Sequence, residues 1–319
     1  MIYRRYGAHD VDVSAFILGG HEFLPNGRSR GFNEDAGRAV TPGEIFDGFG
    51  GEKRKGVLAA AYELGITVFD ATIDSEKEAL GRNLEEMPPP GEILIQTRPE
   101  GMCYGYDPFN AKMADYALLK AEAERARELL RRDRVDVYNL AFLRTALERD
   151  AGYVDRIGEN VARLKADGLI RFASADTFSG GDLYLRQIES GHFDSIFINF
   201  SACDDAALEE VVPAARSRGV AVFAREAFGK GSFFKAADEM GIADRDAVAR
   251  AALRWILTRE GVTAVAVGAD TGEQLRSNAL ALSPLELGDD DRALLEKLRA
   301  APSFRETQRR KREAFLGGR

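Results

Sequence analysis

Eight short apolar runs, each followed by a longer stretch of helical spacing, constrain this chain more than any other feature of its sequence. The runs cover residues 13–18, 66–70, 93–97, 135–141, 170–174, 195–199, 220–224 and 263–267. They are continuous rather than alternating, the pattern of strands buried on both faces of a parallel sheet. Helical spacing marks residues 54–64, 76–87, 111–131, 153–166, 182–189, 205–218, 245–260 and 273–282. Gly65, Gly168 and Gly219 stand just before strands, where helix C-caps belong. Eight β/α units in one run predict a (β/α)8 TIM barrel, with residues 1–319 as a single unit. The doubly wound alternative lacks a GxGxxG at its first βα turn.

Composition removes several classes of function. The chain has 319 residues, with 52 acidic against 44 basic side chains and a net charge of −8. That balance carries no global basic footprint for nucleic acid. Its two cysteines, Cys103 and Cys203, lie far apart, which makes no disulfide framework and fits a reducing cytoplasm. With three histidines, no HExxH and no CxxC, no zinc site of the usual kind is expected. No apolar run approaches the roughly 20 residues of a membrane span, and the N-terminus has no apolar signal core. A cytoplasmic protein acting on a small molecule, with no membrane and no nucleic-acid partner, is the expectation. No heptad seam is legible, so the oligomeric state stays open.

Two segments break the rhythm. Residues 25–51 form a long loop rich in Gly, Arg and Asn between the first strand and the first helix. In a barrel such a loop lies over the C-terminal mouth, where active sites are built. Residues 303–319 form a basic tail with Arg309-Arg310-Lys311-Arg312, read as a solvated helix end rather than a site for an anionic partner.

Several stretches carry a resemblance: Gly65-Ile66-Thr67-Val68-Phe69-Asp70, Leu80-Gly81, Val135-Asp136-Val137-Tyr138, Ala252-Leu253-Arg254-Trp255-Ile256-Leu257, and Gly261-Val262-Thr263-Ala264-Val265 with Gly268. Together they resemble the aldo-keto reductase family over most of the chain. The resemblance implies a barrel that transfers hydride from NADPH to a carbonyl. It implies a Tyr general acid tuned by a Lys and a His, with an Asp holding the Lys. Asp70 matches that Asp. The Tyr position is Ser75, the Lys position Arg98 and the His position Ala141. A phenol titrating near 10 needs a neighbouring cation to act at neutral pH. Serine is a far weaker acid, and arginine supplies fixed charge without sharing its proton. The tetrad is degenerate, and ordinary Tyr-dependent reduction is not expected.

The same resemblance places a nicotinamide cofactor, NADP or NAD, against residues that have changed. Asp176-Thr177 stand at the carboxamide position, Phe197 replaces a Gln, and Phe200 stands where an aromatic ring stacks on nicotinamide. Glu226 would repel a pyrophosphate, whereas Lys230 in Gly229-Lys230-Gly231-Ser232 could receive one. Gly268, Gln274 and Asn278 match the adenine side, but Asp270 stands at the adenosine phosphate position. Weak or absent nucleotide binding is therefore expected.

Strand C-termini line a barrel's site. They place His21, Asp70, Arg98, Glu100, Arg144, Asp176, Asn199, Arg225 and Glu226 around the mouth. His21, Asp70 and Arg98 are the candidate catalytic residues, with Asp70 and Arg98 expected to pair directly. Tyr104, Tyr106, Arg144, Asp176, Asn199 and Glu226 are the candidate substrate contacts. His21 follows Gly19-Gly20, and its imidazole is the side chain best suited to proton transfer at neutral pH. A divalent ion held by His21, Asp70, Asp176 and Glu226 is a lesser alternative, because arginines compete for those carboxylates. The reading is an enzyme on a polar small molecule with non-redox chemistry: elimination, isomerisation or hydrolysis. The alternatives are a nicotinamide-dependent oxidoreductase with a substituted general acid and a catalytically inactive binding protein.

Overall fold

The inner and outer faces of the strands differ in kind, and that difference makes the barrel. The computed structural model describes residues 1–101, 107–177 and 179–317. Its strands are β1 (Tyr3–Arg5), β2 (Asp12–Ser14), β3 (Phe16–Leu18), β4 (Val68–Ala71), β5 (Leu94–Thr97), β6 (Val135–Phe142), β7 (Ile170–Thr177), β8 (Ser195–Asn199), β9 (Ala221–Arg225) and β10 (Ala264–Val267). The last eight close into a parallel barrel in the order β10-β3-β4-β5-β6-β7-β8-β9. This is the (β/α)8 TIM barrel that the alternation predicts.

The run at 13–18 is not one strand. Its first half, β2, pairs antiparallel with β1, and its second half, β3, pairs with β4 and β10. The hairpin closes the N-terminal end of the barrel. Tyr6, at its turn, is fully buried, donates to Ser195 Oγ at 2.7 Å and packs on Phe172 and Phe223. The opposite end is left for a site.

Inside the barrel the lower layer is apolar. Tyr6, Val13, Ile17, Val68, Leu94, Val137, Phe172, Phe197 and Phe223 form one cluster. Side chains on a strand alternate in direction, so residues two further along face inward again. On six strands those residues are Asp70, Gln96, Asn139, Ser174, Asn199 and Arg225, all polar, and on the other two they are Gly19 and Ala266. An apolar floor under a polar upper layer is thus written into the strand sequences.

Helix Tyr153–Ala166 has the bounds its periodicity predicts. The stretch 111–131 is two helices, Ala111–Ala114 and Tyr116–Leu130, because Asp115 stops the first and caps the second by accepting from Leu118 N. Helix Asp74–Glu86 lies close against Tyr116–Leu130. A Cβ on Gly81 would come within 2.2 Å of the Leu129 carbonyl oxygen, so glycine alone allows this approach. The basic tail is helix Pro302–Leu316. Three of its cations are paired: Arg309 with Glu306 and Glu313, Arg312 with Glu209, and Lys311 with Glu226 at 2.8 Å and Asp204 at 3.1 Å. The loop 25–51 carries a small core of its own, with Ala39 and Phe49 packed on Ile73 and Ala79. Among the described residues no helix is long and apolar enough to cross a membrane.

Candidate active site

Three residues past β3, the backbone carries His21 into the mouth. Gly20 makes this possible, since a Cβ there would lie 2.4 Å from the Asp70 carbonyl oxygen and 3.0 Å from the Glu76 carboxylate. His21 Nδ1 lies 2.7 Å from Glu76 Oε1, and Glu76 is 2% exposed. The other carboxylate oxygen accepts from Thr72 N at 2.7 Å. Glu76 stands in the first turn of helix Asp74–Glu86, where the helix dipole favours an anion. Its Nδ1 contact leaves His21 Nε2 without a hydrogen bond among the described residues. The imidazole is 39% exposed, with Phe32 of the long loop set edge-on at 5.4 Å.

The pair tunes itself. Burial works against the imidazolium, but the Glu76 carboxylate outweighs it and His21 is held above its ordinary value. Burial likewise works against the Glu76 anion, yet His21, the Thr72 amide and Arg54 bring Glu76 below its ordinary value. In an NMR titration His21 is expected to titrate above the usual imidazole pKa, and Glu76→Gln should lower it. The sign for stability follows. The wild type's advantage over Glu76→Gln should be full below the ordinary imidazole value and fade as pH rises through the raised one. An unchanged His21 titration in Glu76→Gln would show the pair to be idle.

Asp70 ends up beside His21 but does not pair with Arg98 as expected. Its Oδ1 accepts from Gln96 Nε2 at 3.0 Å, and Thr72 Oγ1 lies 3.5 Å from Oδ2. Arg98 Nη2 donates to that same Thr72 hydroxyl at 3.0 Å. Thr72 therefore stands between acid and guanidinium and takes the contact that each would make with the other. Burial raises the Asp70 carboxyl, and Arg98 and Gln96 offset only part of this. Ser75, at the Tyr position, is not at the mouth. It lies buried in the first turn of the helix, where its hydroxyl accepts from Phe46 N at 2.9 Å.

The other side of the mouth is closed by Arg225. Its guanidinium makes two hydrogen bonds to Asp176, at 2.5 and 2.6 Å, and a third from Nε to Asn199 Oδ1 at 2.7 Å. Its plane lies 4.9 Å from the centre of the Phe197 ring. Asp176 and Asn199, expected as substrate contacts, are thus engaged within the protein. Arg144 is engaged too, with Asp182 at 2.7 Å and the Ser179 carbonyl. Glu226 is held by Lys311 and by Lys230 at 3.2 Å. Tyr104 and Tyr106 lie outside the described residues. The carboxylates of the divalent-ion alternative are engaged in the same way, and among the described residues no group of three or more His, Cys, Asp or Glu is placed so that it could hold a metal ion.

Several of the nucleotide positions make contacts within the protein. Phe200 is fully buried against Trp255, 5.4 Å between ring centres, and offers no face for stacking. Thr177 donates to the Phe142 carbonyl. Arg225 lies over the Phe197 ring. Lys230 is 74% exposed and paired with Glu226. On the adenine side, Gly268 is exposed just past β10, Gln274 accepts from Asp270 N at 2.8 Å, and Asn278 is buried in helix Gly272–Ala279. Asp270 pairs with Lys53 at 3.3 Å.

Comparison with known proteins follows this geometry. The model for the aldo/keto reductase family matches residues 47–248. The chain belongs to the aldo-keto reductase family. Among solved structures it is similar to an aldo-keto reductase from Bacillus halodurans in its holo form. The identity is 19% and the TM-score 0.68, over 95% of this chain and 97% of that one. A search of curated proteins finds no match. Aldo-keto reductases typically use NADP(H).

Sequence reasoning missed Glu76, Thr72 and Arg54. An acid in the first turn is the ordinary mark of a helix start, so Glu76 gives no local signal of its contact with His21. Arg54 is buried, donates to the Gly19 carbonyl at 3.0 Å and leaves Nη1 without a partner. The Asn83 amide is likewise unpartnered. Both line a cavity of about 10 Å³ behind Glu76, enough for one water.

Proposed function

We propose that this aldo-keto reductase is an enzyme that moves protons, not hydride, on a polar small molecule at the barrel mouth. The observation that carries this reading is the His21–Glu76 pair, with a free imidazole nitrogen beside Asp70 and Arg98. Glu76 raises the His21 pKa, which favours the imidazolium, and His21 serves as general acid. Asp70, raised by burial, serves as the base. In an elimination, Asp70 takes a proton from carbon, the C–H pair becomes the new double bond, and the leaving hydroxyl departs with the His21 proton as water. In an isomerisation the same two groups move one proton between neighbouring carbons. Hydrolysis uses the same acid with water as nucleophile. The engagement of Asp176, Phe197 and Phe200 supports a reaction without nicotinamide.

The family supports a second reading, a nicotinamide-dependent oxidoreductase in which His21 replaces the phenol as general acid. One pair of experiments separates the two. Fluorescence titration with NADPH and NADH should show no saturable binding in the micromolar range. Hydroxycarboxylates and hydroxyketones incubated with the protein in D2O should gain deuterium at carbon, and His21→Asn should abolish the exchange while leaving thermal unfolding nearly unchanged. Tight NADPH binding with hydride transfer to a carbonyl would replace the first reading by the second. Neither activity, in a folded protein, would leave a binding protein.

A further inference from the structure

We propose that Arg98 receives the carboxylate of a small hydroxycarboxylic acid. The proposal rests on the mouth being the working end of the barrel and adds the class of substrate. Four arginines stand around that mouth, of which two are engaged in ion pairs and a third is buried. Arg54 is buried on the Gly19 carbonyl, Arg144 is bound to Asp182, and Arg225 is bound to Asp176 and Asn199. Arg98 makes one hydrogen bond, from Nη2 to Thr72 Oγ1, and no ion pair among the described residues. A guanidinium carries five N–H donors and does not lose its charge in a protein. With one donor used, one of its two-pronged edges remains whole. That edge matches the two oxygens of a carboxylate.

The setting favours a carboxylate over a dianion. Asp70 and the His21–Glu76 pair lie alongside, so each further negative charge meets another acid. Beneath Arg98 lie acceptors that ask for donors. Gln96 is two residues lower on β5, about 7 Å deeper. Its Nε2 goes to Asp70, and its buried Oε1 has no partner. Asn139 Oδ1 on β6 is also buried without a donor. A carboxylate alone supplies no proton to these oxygens, whereas a hydroxyl on the same molecule does.

A consequence can be measured without turnover. Arg98 now works against protonation of His21. A carboxylate on Arg98 cancels that repulsion, so binding must raise the His21 pKa, and by linkage binding must tighten as His21 takes up its proton. The probes are glycolate and glycerate, with inorganic phosphate for comparison, read by thermal shift and by NMR titration of His21. In the wild type, glycolate or glycerate should raise both the melting temperature and the His21 pKa. Arg98→Gln should lose both responses, and Arg98→Lys, which keeps charge but not the fork, should bind roughly 10–100-fold more weakly. His21→Asn should keep a thermal shift, smaller than that of the wild type and no longer growing as pH falls through the imidazole range, which separates anion binding from the acid–base chemistry. Responses that survive in Arg98→Gln, a response to phosphate alone, or no response to either carboxylate would overturn the assignment. If Arg98→Gln does not fold, wild-type affinity in Arg98→Lys has the same force.

Discussion

Arg225→Met should lower stability by about 3–5 kcal/mol, the cost of leaving a buried charge without its partner. For a chain of this size that is a fall of roughly 5–10 °C in melting temperature. Asp176 is fully buried at the mouth end of β7. Arg225 supplies two of its hydrogen bonds, and Asn139 and Tyr184 contribute weaker ones at 3.3 Å each. Burial works against the guanidinium, but Asp176 outweighs it and holds Arg225 above its ordinary value. Neither partner can leave without exposing the other to a low-dielectric core. Asp176→Asn/Arg225→Met should recover about half of the loss, because it removes both charges and keeps an amide for Asn139 and Tyr184. A drop of less than about 1 kcal/mol in the single variant would mean that the clamp opens freely. The Phe197 face would then be available to a ligand.

Lys77→Met should have a comparable effect, and one that depends on pH. Lys77 is 1% exposed in helix Asp74–Glu86 and lies 2.6 Å from Asp74 and 3.5 Å from Glu100. Around them Glu122 holds Lys112 and Arg125, each at 2.7 Å. The cluster ties three segments together. Asp74 accepts from Gly43 N of the long loop, and Lys112 donates to the Glu100 carbonyl after β5. Removal of Lys77 leaves two buried carboxylates facing each other, at a cost of about 3–5 kcal/mol near pH 8. Burial already pushes the Glu100 carboxyl up to about 7. Its favourable contribution is complete below its unfolded value and is lost as pH rises through the folded one. Without Lys77 the folded value climbs further, so the loss continues to higher pH. The deficit should therefore be larger at pH 8 than at pH 6, read from denaturant unfolding at both. A deficit independent of pH would show that Glu100 does not carry it.

The barrel strands were legible because a parallel strand buried on both faces has to be apolar for most of its length. β8 and helix Tyr153–Ala166 match their expected bounds for that reason. The break at Ala15 was not legible. Residues 13–18 are buried throughout, and the break lies in which strand each half pairs with. β1 escaped notice because Tyr3–Arg5 carries two arginines and no apolar run. At the site, strand ends pointed to His21, Asp70 and Arg98, and to Asp176, Asn199 and Glu226 as well. Nothing in local sequence separates the first three from the second. Asp176 is engaged by Arg225, 49 residues away, and His21 by Glu76, 55 residues away.

The sequence by itself determined the layers of this protein. Side-chain direction alternates along a strand, so apolar residues at one inward position and polar residues at the next dictate a greasy floor and a polar mouth before any strand finds its neighbour. Tertiary structure decided which polar residues are left to act. A carboxylate at a strand end is a ligand, a base or one half of a clamp according to the charge that the closed barrel sets opposite it. That charge arrives from another β/α unit. Thr72 keeps Asp70 and Arg98 apart, whereas nothing intervenes between Asp176 and Arg225. The first pair keeps its charges available, and the second gives them to each other.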